Sequence, residues 1–475
     1  MWIIAALLGL FLAVIVIRAA CFRPKTVPCT DATPEPHDLQ APIDALQQLV
    51  RCQTISSPDP TKEDENEFQK LIDLLPRLYP KVFATCTFRQ LPGRALLLNW
   101  PGKSQDAPTV LMAHYDVVPV DPEKWTVAPF DGVIRDGCLW GRGTLDTKAT
   151  LNGALSAAEH LIGQGFQPEQ DIWFAFSGGE EVNGPGAANI VDWFAQNKIQ
   201  PALVLDEGGA VVQNVFPGVK APCGLIGIAE KGMMNVEYKV LSSGGHASAP
   251  KPGSPVPRLA KACMALQKHP FKMHLTAPAA QMFDTLGRHS GFGFKILFAN
   301  LWCFRWALDL FGRLTGGDMD ALLRTTVAFT QMSGSNARNV LPPEAKLVSN
   351  MRLSPADNVR SALDYLKKTV DDEKVEITVL ESFEPSRVSR TDCEGWDKVA
   401  AAVSENWPGC IVSPYLMVQC SDARHWGRIS DRVYRFCAMD MTNEERATIH
   451  GNDERIRLES INKAVGFYIR LIRKC

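Results

Sequence analysis

Two carboxylates, Glu180 and Glu181, stand side by side in FAFSGGEEVNGPGAANIV, where an apolar run meets a turn rich in glycine and proline. Like charges crowded into a partly desolvated place repel, so one is neutralised or a cation lies between them. Comparable residues end other apolar runs: His114 and Asp116 in MAHYDVVP, Asp146 in GRGTLD, Asp206 with Glu207 in VLDEGG, and His450 in TIHGNDE. Taken singly, each reads as a cap, a satisfied core polar group or an answer to a helix dipole. Gathered at one place, two histidines and several carboxylates without thiolates suit zinc, manganese or cobalt, with ligands enough for two ions sharing one bridge.

Such a gathering needs elements that bring these ends to one edge. APTVLMAHYDVVPV, DIWFAFSGGEE and PALVLDEGG read as buried strands, and TKATLNGALSAAEHLIGQG and GPGAANIVDWFAQNK as helices. Strand followed by helix, repeated, predicts an α/β catalytic domain with a mixed, largely parallel sheet and helices on both faces. Ligands of such sheets bind at the carboxyl ends of the strands, where these polar residues fall. From Lys231 to Phe383 the rhythm changes to strand, helix, strand, strand, helix, strand, which predicts an inserted ferredoxin-like α+β lid. The expected division is therefore a catalytic domain over 39–230 and 384–475 with the lid over 231–383.

A chain of 475 residues, 46% apolar and 21% charged, has the composition of a globular protein long enough for two folding units. Its net charge of -2 gives no basic surface for nucleic acid, so no nucleic-acid partner is expected. The thirteen cysteines contain no CxxC pair and signal neither a zinc ribbon nor a complete disulfide framework. Residues 1–21 open with the uncharged run MWIIAALLGLFLAVIVI, followed by Arg18, Arg23 and Lys25. That length predicts a single membrane-anchoring helix, with a secretory signal as the rival, and then a linker over 22–38. The expected location is membrane-anchored with an extracytoplasmic catalytic domain, or secreted if the helix is a cleaved signal. Within the lid, GFGFKILFANLWCFRWALDLFG (291–312) spreads aromatic residues around any helix drawn through it. A core helix of an enlarged lid and a greasy surface touching the bilayer or an acyl chain both fit that pattern.

The stretches MAHYDVVP, WGRGTLDTK, SGGEEVNGPGA, VLDEGG, SSGGHASAP, SDARH and IHGNDE, in that order, resemble the aminoacylase and carboxypeptidase family of dinuclear zinc hydrolases. Within it, the resemblance is to the branch of vacuolar carboxypeptidase S and the N-fatty-acyl-amino-acid synthase/hydrolases. It implies two Zn2+, or Co2+ or Mn2+ in their place, with His114 and Asp206 on one ion, Glu181 and His450 on the other, and Asp146 as the bridge. It also implies that Glu180 is the general base, Asp116 orients the His114 imidazole, and His246 of the lid stabilises an oxyanion. Asn339 and Arg352 are implied to grip a substrate carboxylate. The implied reaction is hydrolysis of an amide next to a free carboxylate, on a peptide or an N-acyl amino acid, with a homodimer formed through the lid. Alternatives are an aminopeptidase-type or dipeptidase activity, or a membrane-associated module without catalysis. One departure is Cys420, which stands where the family usually has a Gly- or Thr-rich run before its DAR motif.

Overall fold

The computed structural model describes residues 2–25, 29, 33–250 and 252–475. An eight-stranded sheet runs in the order Thr87–Leu91, Ala95–Trp100, Gln170–Ser177, Ser104–His114, Leu203–Val212, Val433–Met441, Cys223–Glu230, Ile411–Met417. The four strands from Gln170–Ser177 to Val433–Met441 are parallel neighbours, and the antiparallel pairings lie to either side of them. Side chains alternate across the pleat, so Leu111 and Ala113 point into one layer and Val110 and Met112 into the other. The first layer is closed by helices Lys148–Gly163 and Leu458–Ile472, the second by Gly186–Gln196. The expected α/β architecture with both faces covered is the one observed.

The strands Gly232–Leu241, Thr326–Ser333, Glu344–Leu353 and Glu376–Phe383 form a separate antiparallel sheet in the order second, third, first, fourth. Helices Pro255–Lys268 and Val359–Val370 cover one face, which carries its own core of Val236, Tyr238, Leu259, Leu347, Met351 and Leu366. Burial along Glu344–Leu353 alternates residue by residue, as expected of a strand with one wet face. This is the ferredoxin-like arrangement that the pattern predicted.

The aromatic insertion departs from expectation. Helices Ala277–His289, Phe292–Phe298, Leu301–Thr315 and Gly317–Leu323 leave the lid and return to the edge of the catalytic sheet. There Phe283, Phe298, Leu308 and Leu323 pack with Val212, Phe216, Leu225 and Leu416. Described residues of the 22–38 segment touch the body. Phe22 is buried in the same cluster, Lys25 pairs with Asp284 at 2.8 Å, and Glu35 pairs with Arg473 at 2.7 Å.

Candidate metal centre

Five elements converge at the carboxyl ends of the parallel strands. His114 ends one strand, Asp146 precedes the helix Lys148–Gly163, Glu180 and Glu181 begin a short turn after Ser177, and Glu207 lies within Leu203–Val212. His450 follows the short helix Asn443–Arg446 and takes φ +58°, an uncommon conformation for a residue with a side chain and one that clusters at functional sites. Two tight approaches need glycine. A Cβ on Gly178 would lie 2.6 Å from Cζ of Tyr115, and one on Gly209 would lie 1.8 Å from the Leu225 carbonyl oxygen.

Asp146 stands at the centre. Its Oδ1 lies 2.9 Å from His114 Nε2 and its Oδ2 lies 3.0 Å from His450 Nε2. Glu181 Oε2 is 3.1 Å from the same His450 nitrogen, and Glu207 Oε1 is 3.5 Å from His114 Nε2. Among the described residues, ligating atoms of His114, Asp146 and Glu181 lie within 4.8 Å of one another, and so do those of His114, Glu180 and Glu207. The donor set fits cations. Glu181 Oε1 is buried and accepts no hydrogen bond, although buried carboxylate oxygens normally find a partner. Glu180, Glu181 and Glu207 crowd one recess with too few protein cations to balance them.

The electrostatics repeat this imbalance. Burial pushes the carboxyls of Glu180 and Glu207 well above the usual range; Asp422, Glu181 and Asp116 add to the first, and Asp146 and Glu180 to the second. Burial also works against ionisation of Asp146, but its hydrogen bonds to His114 and His450 outweigh it and hold that carboxyl below the usual range. The His450 imidazole is raised to about 10 by its hydrogen bonds to Asp146 and Glu181. Divalent cations would replace those protons and favour the ionised carboxylates.

The chain of support reaches further. Asp116, fully buried, accepts the backbone N–H of Glu180 at 3.1 Å and of Glu181 at 3.2 Å, and the Ser56 hydroxyl at 2.7 Å. Its backbone carbonyl is 3.0 Å from His114 Nδ1, and its carboxylate is 3.4 Å from the same atom. Asp116 is thus a positioning residue for the imidazole and for the Glu180–Glu181 turn.

Glu454 was missed as a site residue, although it lies within the IHGNDE stretch. It is buried against Arg142 at 2.6 Å and accepts the backbone N–H of Gly143, Leu145 and Asp146 at 3.2, 2.7 and 3.2 Å. It therefore fixes the GRGTLD loop that carries Asp146, from four residues beyond His450. An Arg and a Glu 312 residues apart give no local signal of their pairing.

The family model described as peptidase family M20/M25/M40 matches residues 110–474. The chain belongs to this family. As an M20 chain it is a hydrolase. It is 34% identical over 444 residues to probable carboxypeptidase S-like 2 of Dictyostelium discoideum, covering 91% of this chain and 85% of that one. It is also 34% identical over 437 residues to the N-fatty-acyl-amino acid synthase/hydrolase PM20D1 of Xenopus tropicalis, covering 91% and 85%. Among solved structures, the M20 metallo-carboxypeptidase Sso-CP2 of Sulfolobus solfataricus aligns with a TM-score of 0.66 at 17% identity, over 91% of this chain and 98% of the other.

The structure brings His114, Asp116, Asp146, Glu180, Glu181 and His450 together as the M20 motifs imply. The hydrogen bonds and ion pairs of His114 are with Asp116, Asp146 and Glu207, and Asp206 is not among these partners. Adjacent residues of a strand point to opposite faces, and here Glu207 is the one that faces the imidazole. Asp206 is buried, its Oδ2, like Oε1 of Glu181, accepts no hydrogen bond, and burial, with Asp422 adding, raises its carboxyl to about 7. His246 and Asn339 meet on one small exposed ladder, Gly245–His246 against Val340–Leu341, with the Ala247 N–H donating to the Asn339 carbonyl at 3.0 Å. Neither makes a hydrogen bond or ion pair with the cluster around Asp146. Arg352 is half-buried on the lid and donates to Cys420 Sγ at 2.9 Å, beside the SDAR loop. In that loop Asp422 accepts the Ser177 hydroxyl, which ties the loop to the strand preceding Glu180.

Proposed function

We propose that this M20 hydrolase is a membrane-anchored enzyme that uses two zinc ions to cleave the amide bond of N-acyl amino acids. The observation that carries the reading is Asp146 with one histidine on each oxygen, flanked by the carboxylates of Glu180, Glu181 and Glu207. Three protein ligands per ion follow if Asp146 bridges, with His114 and Glu207 on one side and Glu181 and His450 on the other. Such a set leaves open positions, as catalytic zinc requires. When bound, the ions supply Lewis acidity and lower the pKa of water at the site.

The remaining steps belong to the chain. Glu180 takes the proton of the attacking water and returns it to the leaving nitrogen. Asp116 holds its turn in place. Arg352 offers a cation for the free carboxylate of the substrate, with Asn339 as a second polar contact. His246 donates to the developing oxyanion once the lid brings its exposed ladder to the site, either within one chain or across a lid-mediated homodimer. His246→Ala should then lower kcat about 10²–10³-fold at unchanged zinc content; an unchanged kcat would leave it a turn residue.

The acyl side of the substrate is a long chain in this reading. Its support is the likeness to a protein named N-fatty-acyl-amino acid synthase/hydrolase and the helix Trp2–Cys21, long and apolar enough to cross a membrane. Each sheltered methylene is worth about 0.8 kcal/mol, so a few of them favour long chains over acetyl more than tenfold. The test is kcat/KM on N-acylglycines of rising acyl length beside a set of dipeptides. A rise with length supports the proposal. A flat profile with dipeptides preferred would make the enzyme a carboxypeptidase.

A further inference from the structure

The N-terminal helix Trp2–Cys21 is fixed to the aromatic insertion. Arg18 donates to the Ala299 carbonyl at 2.9 Å and to Asn300 Oδ1 at 3.1 Å. Asn300, fully buried, donates back to the carbonyls of Ile15 at 3.1 Å and Ile296 at 2.9 Å, and its Oδ1 also lies 3.4 Å from the Trp302 indole nitrogen. Phe11 meets Trp302 edge to face with ring centroids 5.9 Å apart. Phe22, the first residue past the helix, is buried in the core, with the Arg288 guanidinium 4.3 Å from its ring centroid. No pivot therefore separates this helix from the body.

The helix Leu301–Thr315 is inside-out for a protein in water. Its inner side buries Leu308 and Gly312, while Trp302, Trp306, Leu310 and Leu314, spaced four apart, are 57%, 65%, 50% and 77% exposed. Four large apolar side chains along one outer stripe form a patch that monomeric soluble proteins rarely leave bare. Charge is kept to one flank, where Asp309 pairs with Arg313 at 3.1 Å and with Arg324 at 2.5 Å.

We propose that this stripe lies in the bilayer beside the N-terminal helix, so that two elements hold the catalytic body at a fixed attitude on the membrane. The occupant follows from continuity. At 1.5 Å per residue the 20-residue helix is about 30 Å long, the thickness of the hydrocarbon layer. Its charged end is Arg18, and Phe11 lies seven residues deeper, about 10 Å below that level. Trp302 touches Phe11, so its helix reaches the depth at which interfacial amphipathic helices rest. Arg18 and the Asn300 amide at that level are paired within the protein, as hydrocarbon demands. A cavity of about 400 Å³ between the two elements, lined by Arg18, Arg288, Phe22 and Trp302, opens where headgroups would lie.

The inference rests on the anchorage proposed above, and its test separates the two. The full chain carrying Trp2→Phe is reconstituted into phosphatidylcholine nanodiscs whose lipids are brominated near the glycerol end of one acyl chain, and tryptophan fluorescence is compared with that in unbrominated discs. Bromine should quench it, and adding Trp302→Phe and Trp306→Phe should abolish most of that quenching. Incorporation without quenching, or quenching unchanged by the two substitutions, overturns the proposal and leaves the anchor standing. Failure to incorporate overturns both. A dimer in the discs that Trp306→Glu with Leu310→Glu splits, without quenching, assigns the stripe to a second copy and also overturns it.

Discussion

Glu207 Oε1 lies 3.5 Å from His114 Nε2, on the side of the imidazole where the M20 motifs led us to expect Asp206. The strand continues through both residues to Val212, with Gly208 at φ +137° and Gly209 pressed onto the neighbouring strand, so the carboxylate facing the imidazole is the second of the pair. Glu207→Gln should lose about one of two zinc equivalents, whereas Asp206→Asn should retain both, as read by elemental analysis after dialysis. The reverse result would return the ligand to Asp206.

Glu180 and Glu181 should separate by metal content. Glu180→Gln is expected to keep its zinc and lose about 10²–10⁴-fold in kcat, the usual cost of one general base. Glu181→Gln should lose metal first and activity as a consequence. Near-full activity in Glu180→Gln would remove that residue from the chemistry.

Asp116 acts through its neighbours. An asparagine there offers one acceptor oxygen where the aspartate serves two backbone amides and a hydroxyl. Asp116→Asn should therefore weaken zinc affinity about 10–100-fold, as loss of outer-shell partners does, and excess zinc should restore part of the rate. Zinc affinity equal to wild type would show that the turn does not depend on this carboxylate.

Much of this was legible in the sequence because it is periodic or local. The alternation of Val110, Leu111, Met112 and Ala113 gives a strand, and His114 and Asp116 fall at its end by the same period. The six lid elements follow equally from pattern. What escaped depends on neighbours far along the chain. Glu454 supports Asp146 across 308 residues. Phe298, which composition grouped with the surface aromatics, is core because Phe216 and Phe283 lie 4.8 and 5.7 Å away. The aromatic insertion leaves the lid to pack on the catalytic sheet edge and the N-terminal helix, partners distant in sequence. The choice between Asp206 and Glu207 turns on which face of one strand meets His114, which residue types alone do not specify.

Lys231 joins the catalytic body to the lid and yields a pH prediction. Its ammonium donates to the carbonyls of Ala321 at 3.0 Å and Arg324 at 2.8 Å, and burial, with Arg352 adding, lowers it to about 7. Because the folded value is depressed, the unfolded chain holds the extra proton between about pH 7 and 10.4, and stability rises with pH through that window. Wild type should gain on Lys231→Met by at most about 4 kcal/mol from pH 7 to 10, at about 1.4 kcal/mol per unit. A gap that stays flat in denaturant titrations would mean that Lys231 titrates normally.

The central claim is that paired metal ions around Asp146 perform amide hydrolysis. The most direct measurement removes metal from the full chain with a chelator and follows hydrolysis of a long-chain N-acyl amino acid while zinc is added back. The account predicts negligible activity without metal and a rise that levels off at two zinc ions per chain. Full activity after chelation, or a plateau at one ion, would contradict it.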